Sequence, residues 1–395
     1  MVKYDFDTLH NRLGTDSVKH DFAQERGHGA DVLPMWVADM DFQTAPEILE
    51  ALHACVSHGI FGYTDTKKDY FDALANWEKT YFNWEIEQDW LLQTPGVVNA
   101  IATGVRALTS PGDAVLITRP VYYPFSRVID RNARKLVNSP LVLENGKYQI
   151  DFADFEQKII DNDVKLFIFC SPHNPVGRVW TAEELEKIGD ICLKHNVVII
   201  SDEIHADFTF PGHRHIPLCS LKKEYERIVI TCTAPSKSFN LAGLATSNIL
   251  IPNPDLREKF VAEQEAASID GANQLGLAAC KAAYTKGAEW LRQLKEYLAG
   301  NLSYVREALS EIPGVSLVEP EGTYLLWLDF RGLGLSAEEL EDFIEHKVRI
   351  WLDGGEMFGP EGAGFQRVNM ACPRATVAEA MKRLKQAVAD LNGKK

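Results

Sequence analysis

Along this chain, short runs in which nearly every residue is apolar alternate with stretches where apolar residues recur every three or four positions. The runs fall at 114–118, 166–170, 197–201, 228–232 and 247–251, and each has the length and aliphatic content of a strand. Strands that are apolar on almost every residue belong in a sheet covered on both faces. Helical patterns lie between several of them. One spans 181–195 and opens on Thr181-Ala-Glu-Glu184, the form of a capping box. Another starts at Ala45-Pro46-Glu47, with proline in the first turn. The pattern predicts an α/β domain with a mostly parallel sheet and helices covering it.

Beyond about Asn273 the pattern changes. A long helical stretch rich in Ala, Leu, Glu and Lys leads into predicted strands at 315–318, 324–330, 350–352 and 367–371, with helices at 336–346 and 376–391. This reads as a smaller α+β domain. No Pro/Gly/Ser-rich linker separates the two, so the boundary is expected inside a long helix. The expected division is an arm over 1–45 packing with the small domain, a large domain over 46–285, and a small C-terminal domain over 286–395.

Composition narrows the function classes. The 395 residues, 46% hydrophobic and 25% charged, suit a folded chain with room for two domains. A formal net charge of −15 argues against nucleic acid or an anionic membrane as partner. No apolar stretch is long enough to span a bilayer, and Met1-Val-Lys-Tyr-Asp-Phe-Asp7 lacks the apolar core of a signal peptide. Seven cysteines, odd in number and never spaced Cys-x-x-Cys, predict reduced thiols and a cytoplasmic protein.

In an open α/β sheet, ligands bind beyond the carboxyl ends of the strands. Asn174, in Asn174-Pro-Val-Gly177, follows the 166–170 run. Asp202 ends the next one. Lys237, in Thr233-Ala-Pro-Ser-Lys-Ser-Phe-Asn-Leu-Ala-Gly243, follows the 228–232 run and lies 35 positions after Asp202. Taken singly, Asn and Asp are common turn residues and lysine is common on surfaces. Together, three strands aim an amide, a carboxylate and an amine at one edge. An amine that can condense with an aldehyde, an acid that keeps a ring nitrogen protonated and an amide that bonds a ring hydroxyl are what pyridoxal phosphate needs. The chain has no Gly-x-Gly-x-x-Gly after its first strand and no Gly-x-x-x-x-Gly-Lys-Ser/Thr, which excludes the nucleotide-binding α/β folds.

These segments resemble those of the fold-type I pyridoxal phosphate enzymes, the aspartate aminotransferase superfamily. Met35-Trp-Val-Ala-Asp-Met-Asp-Phe42, Ser201-Asp-Glu-Ile-His205 and the run around Lys237 are most similar to the MalY/PatB cystathionine β-lyase (carbon–sulfur lyase) branch. The likeness extends from the arm to the region of Arg367. It implies that Lys237 carries the cofactor and moves the substrate's Cα proton, and that Asp202 partners the pyridine nitrogen. Asn174 and His205 would face the ring oxygen; at 205 many relatives carry tyrosine instead. Tyr122, in Arg119-Pro-Val-Tyr-Tyr-Pro124, would stack on the ring, with Tyr123 a rival. Gly96, Val97 and Val98, where a helical pattern begins, would offer backbone N–H groups to the phosphate, helped by Ser236 and Tyr63.

Tyr63, in Phe61-Gly-Tyr-Thr64, resembles a tyrosine that crosses a dimer interface to the neighbouring site, which implies a homodimer. Arg367, in Phe365-Gln-Arg-Val-Asn369, would grip the substrate's α-carboxylate as a bidentate pair, with Arg374 a competitor and Ala38 of the arm beside the substrate. No metal is implied. The chain departs from the pattern at Ala245, where many relatives carry a phosphate-binding arginine, and at Ala234, where some carry serine. The implied activity is β-elimination from L-cystathionine, L-cysteine or related S-conjugates, giving a thiol, pyruvate and ammonia. An aminotransferase is the alternative, because both reactions begin with the same proton removal. A pyridoxal phosphate-binding regulatory or interaction protein ranks last, since such proteins carry a basic DNA-binding segment.

Overall fold

Residues 3–269 and 273–393 are described by the computed structural model; Met1 and Val2 of the expected arm, and Lys394 and Lys395 of the expected small domain, lie outside them. The large region is built on a seven-stranded sheet. Its strands in chain order are β1 (Leu91–Thr94), β2 (Ala114–Ile117), β3 (Lys135–Asn138), β4 (Leu166–Cys170), β5 (Val198–Asp202), β6 (Val229–Thr233) and β7 (Ser247–Leu250). Their order in the sheet is β1-β7-β6-β5-β4-β2-β3. Neighbours are parallel except for β7, which runs antiparallel to both β1 and β6.

The apolar runs form strands because both faces are covered. Leu166 and Ile168 point to one face, where Ile101, Val105, Phe125 and Phe260 pack. Phe167 and Phe169 point to the other, against Phe155, Trp180, Leu185 and Ile188. The helix Ala182–Lys194 starts on the expected capping box, with Thr181 and Glu184 exchanging bonds. Sequence patterning missed β1, the edge strand β3 and the hairpin Leu141–Glu144 with Lys147–Ile150. That hairpin turns at Asn145 and Gly146, both at positive φ, the signature of a two-residue turn matched to strand twist.

The C-terminal region has its own antiparallel sheet of β8 (Ser316–Val318), β9 (Leu325–Asp329), β10 (Asp353–Gly354) and β11 (Phe365–Asn369), in the order β8-β9-β11-β10. The strand expected at 367–371 lies two residues earlier. Beyond Asn369 the Cys372 N–H turns back on the Met370 carbonyl, and Pro373 leads into the helix Arg374–Asn392. The helix expected at 336–346 is α-helical only over Ala337–Asp342 and continues as a π-helix over Phe343–Val348. The helical stretch beyond Asn273 is two helices, Gln274–Lys286 and Ala288–Ser310. They meet at Gly287, where a β-carbon would come 2.4 Å from the Phe239 ring.

The arm is largely irregular. Leu33–Pro34 pairs with Ile350–Trp351, and the arm's later residues are stitched down from two sides. The Asn240 side chain donates to the carbonyls of Met40 and Phe42 and accepts from the Met40 N–H. Asn369 donates to the carbonyls of Val37 and Asp39. No helix among the described residues is long and apolar enough to cross a membrane.

Candidate active site

Strand register brings the site together. Cys170 lies opposite Asp202, Asp202 opposite Cys232, Asn248 opposite Thr233, and Ser247 opposite Thr94. The carboxyl ends of β1, β4, β5 and β6 therefore share an edge with the amino end of the antiparallel β7. A cavity of about 200 Å³ opens at this edge. It is lined by Lys237, Asp202, Asn174, His205, Tyr122, Ser236, Ala38 and the Gly96-Val97-Val98 backbone. Of the expected residues, Arg367 and Tyr63 are not in its wall.

Arg367 stands one bond behind it. Its Nη1 donates to Asn174 Oδ1 at 3.1 Å, and Nη2 donates to the Trp36 carbonyl at 3.0 Å and to the Asp353 carboxylate. Nε is buried without a partner among the described residues. Because Arg367 takes the Asn174 oxygen, Asn174 has its NH₂ group left to offer the cavity. The competitor Arg374 points elsewhere, bonding Asn301 Oδ1 at 2.6 Å. Tyr123, the rival of Tyr122, lies under the Arg127 guanidinium and does not line the cavity. Tyr63 is fully exposed.

Lys237 sits in the short helix Pro235–Ser238 that follows β6, and its Nζ donates to the Ala38 carbonyl at 3.0 Å. The buried Tyr324 hydroxyl donates to the same oxygen at 2.9 Å. Burial, and then the charge of Arg367, lower the Lys237 pKa to about 8. Burial raises Asp202 from its ordinary 3.8 to about 7, and drives His205 well below the ordinary histidine value, so its ring is neutral. Tyr122 is likewise pushed upward by burial. Desolvation is the leading cause in all four, as a closed site should produce.

The donor set fits pyridoxal phosphate. Asp202 is only 4% exposed, yet among the described residues its carboxylate accepts a single bond, from the Ile204 N–H at 3.2 Å. A buried carboxylate so poorly satisfied is destabilising unless a cation or donor meets it, and a protonated ring nitrogen would. His205 Nδ1 and Asn99 Oδ1 are buried without partners among the described residues. The helix Val97–Leu108 begins on Gly96 with no side-chain cap, leaving its first N–H groups for an anion. Gly96 has φ of 114°, and open space surrounds the place of a β-carbon, which lets a ligand approach the backbone.

Besides Ala245, six lining residues were not among the expected site residues: Pro95, Asn99, Cys170, Ile204, Ala242 and Thr246. Thr246 precedes β7, and an antiparallel strand brings its start, rather than its end, to the ligand edge. At Ala245 the lining offers no guanidinium; the hydroxyls that line it beside the uncapped helix are those of Ser236 and Thr246, the latter donating to the Leu244 carbonyl at 3.1 Å. No group of His, Cys, Asp or Glu among the described residues is arranged to hold a metal.

Comparison with known proteins agrees with this geometry. Residues 30–384 match the family aminotransferase class I and II. The chain is 43% identical over 384 residues to the cystathionine beta-lyase PatB of Bacillus subtilis, covering 97% of this chain and 99% of that protein. It is 33% identical over 388 residues to protein MalY of Escherichia coli, covering 98% and 99%. The crystal structure of cystalysin from Treponema denticola, which contains a pyridoxal 5′-phosphate cofactor, superposes with a TM-score of 0.95 at 40% identity, over 99% of this chain and 100% of that one.

Proposed function

Since this chain belongs to the aminotransferase class I and II family, we propose that it is a pyridoxal phosphate-dependent carbon–sulfur β-lyase acting on L-cystathionine, L-cysteine or related S-conjugates. One observation carries the reading: Lys237, Asp202 and Asn174 meet in one buried cavity, in a chain 43% identical to a cystathionine β-lyase. When bound, the cofactor supplies an electron sink for the bonds at the substrate's Cα.

The residues divide the remaining work. The N–H groups of Gly96, Val97 and Val98, with the hydroxyls of Ser236 and Thr246, hold the phosphate. Tyr122 covers one ring face. Asp202 keeps the proton on the ring nitrogen, and Asn174 and the neutral His205 face the ring oxygen. Lys237 is the covalent anchor. Its lowered pKa, about 8, leaves a usable fraction of free amine near neutral pH, able to take the Cα proton. Arg367 binds the substrate's α-carboxylate with the guanidinium edge it turns toward Asn174. Loss of a sulfur leaving group from Cβ, protonated as it departs, then gives a thiol, and water hydrolyses the released 2-aminoacrylate to pyruvate and ammonia.

Tyr63 serves the neighbouring site of a homodimer. Its full exposure supports this, as do the exposed Val56, Ile60 and Phe61 beside it, since contiguous exposed apolar side chains mark interaction surfaces. The seven cysteines, all unpaired, favour the cytoplasm. The test is incubation of the holoenzyme with L-cystathionine, following thiol, pyruvate and oxo-acid-dependent amino transfer in parallel. Thiol and pyruvate should appear in equal amounts. Amino transfer without thiol release would make the protein an aminotransferase instead.

A further inference from the structure

The segment after β5 serves two cavities. Asp202, Ile204 and His205 line the one already described, whereas residues 206–210 line another, of about 710 Å³. That volume is within the range of small-molecule sites, roughly 300–1,000 Å³. Tyr81, Phe82, Phe210 and Leu298 give it an aromatic and aliphatic wall.

Its charged groups divide into two sets. The carboxylates are already engaged. Asp207 accepts from Trp77 Nε1 at 3.2 Å and from the Ser238 hydroxyl. Glu289 and Glu296 accept from Arg292, and Glu289 also from Gln293. Two cations are not engaged. Lys295 and Arg214 line the same cleft and make no hydrogen bond or ion pair among the described residues. Lys295 is half-buried; the Asp207 carboxyl acts on its charge without bonding it and is already hydrogen-bonded by Ser238 and Trp77. An ammonium taken partly out of water without a partner is destabilising until an anion meets it.

We propose that this cleft is a second ligand site, taking a small aryl monocarboxylate with its ring against Tyr81, Phe82 and Phe210 and its carboxylate on Lys295. Neither Lys237 nor Arg367 lines the cleft, so this ligand and the substrate occupy separate places.

The holoenzyme is titrated calorimetrically with 1-naphthylacetate. Binding of one equivalent per chain is expected, and the neutral 1-naphthylacetamide should bind about tenfold more weakly, since a hydrogen bond to a charged group is worth about a factor of ten. Lys295→Met should weaken binding about tenfold. Ala299→Trp, which fills the cleft from its half-buried wall while leaving Lys295, should abolish it. Arg367→Lys should leave it unchanged, which separates this site from the substrate's carboxylate site. Thermal melts check that the variants are folded. The proposal is overturned by binding that persists undiminished in Lys295→Met and Ala299→Trp, by binding lost with Arg367→Lys, or by no binding at millimolar ligand.

Discussion

Asp202→Asn sets the needs of the reaction against the preference of the fold. In the cofactor-free protein, burial lifts this carboxyl from 3.8 to about 7. Each pKa unit is worth ~1.36 kcal/mol, so ionising Asp202 costs the fold about 4 kcal/mol at high pH. Between the two values the folded protein holds a proton that the unfolded chain has released. Stability therefore falls as pH rises from about 4 to about 7 and is level above that. Asparagine has the same shape, keeps an oxygen for the Ile204 N–H and carries no charge, so the variant lacks this slope. In urea unfolding of the cofactor-free proteins, the variant should match the wild type below about pH 4, where the carboxyl is protonated in both states, and exceed it by about 4 kcal/mol at pH 8. Its lyase activity should nevertheless fall by about two orders of magnitude or more, because an amide cannot hold a proton on the ring nitrogen. A variant no more stable at pH 8, or one as active as the wild type, refutes the reasoning.

Four further expectations follow from named side chains. Lys237, lowered to about 8, is uncharged above that pH, so the rate of cofactor uptake by the cofactor-free protein should rise with pH through about 8 and then level off. Stopped-flow absorbance in the visible reads this, and a rate still climbing near pH 10 counts against it. Arg367→Lys loses the fork that reaches Asn174, Trp36 and Asp353; it should raise KM by about tenfold or more, whereas Arg374→Lys leaves KM unchanged in the same steady-state assay. Mixing inactive Tyr63→Ala and Lys237→Ala proteins should restore about a quarter of wild-type activity if Tyr63 serves the neighbouring site, because half the dimers are then hybrids with one complete site; no recovery puts Tyr63 out of that role. Thr181→Ala, which removes one half of the capping box, should cost about 1 kcal/mol in urea unfolding while leaving kcat unchanged.

Much of this was legible in the chain because local chemistry dictated it. The runs at 114–118, 166–170 and 228–232 are apolar on nearly every residue, and only a doubly covered sheet stabilises such strands. Once those strands were placed, the ligand edge followed, and with it Asn174, Asp202 and Lys237. What escaped was set by partners far away in sequence. The strand β3 is an edge strand with two half-buried positions and one exposed, so its hydrophobic signal is weak. Thr246 reaches the cavity only because β7 runs against its neighbours, and a direction reversal leaves no local mark. The break at Gly287 comes from the Phe239 ring, 48 positions earlier in the chain. Asn240 and Asn369 read as parts of family wording, yet their side chains fasten the arm over the site.

Borohydride reduction of the holoenzyme, followed by peptide mapping, bears most directly on the chemistry assigned to this edge of the sheet. Reduction should bleach the visible absorbance and leave the pyridoxyl group on the peptide that contains Lys237. A label on any other lysine, or a purified protein with no visible chromophore to reduce, contradicts the account.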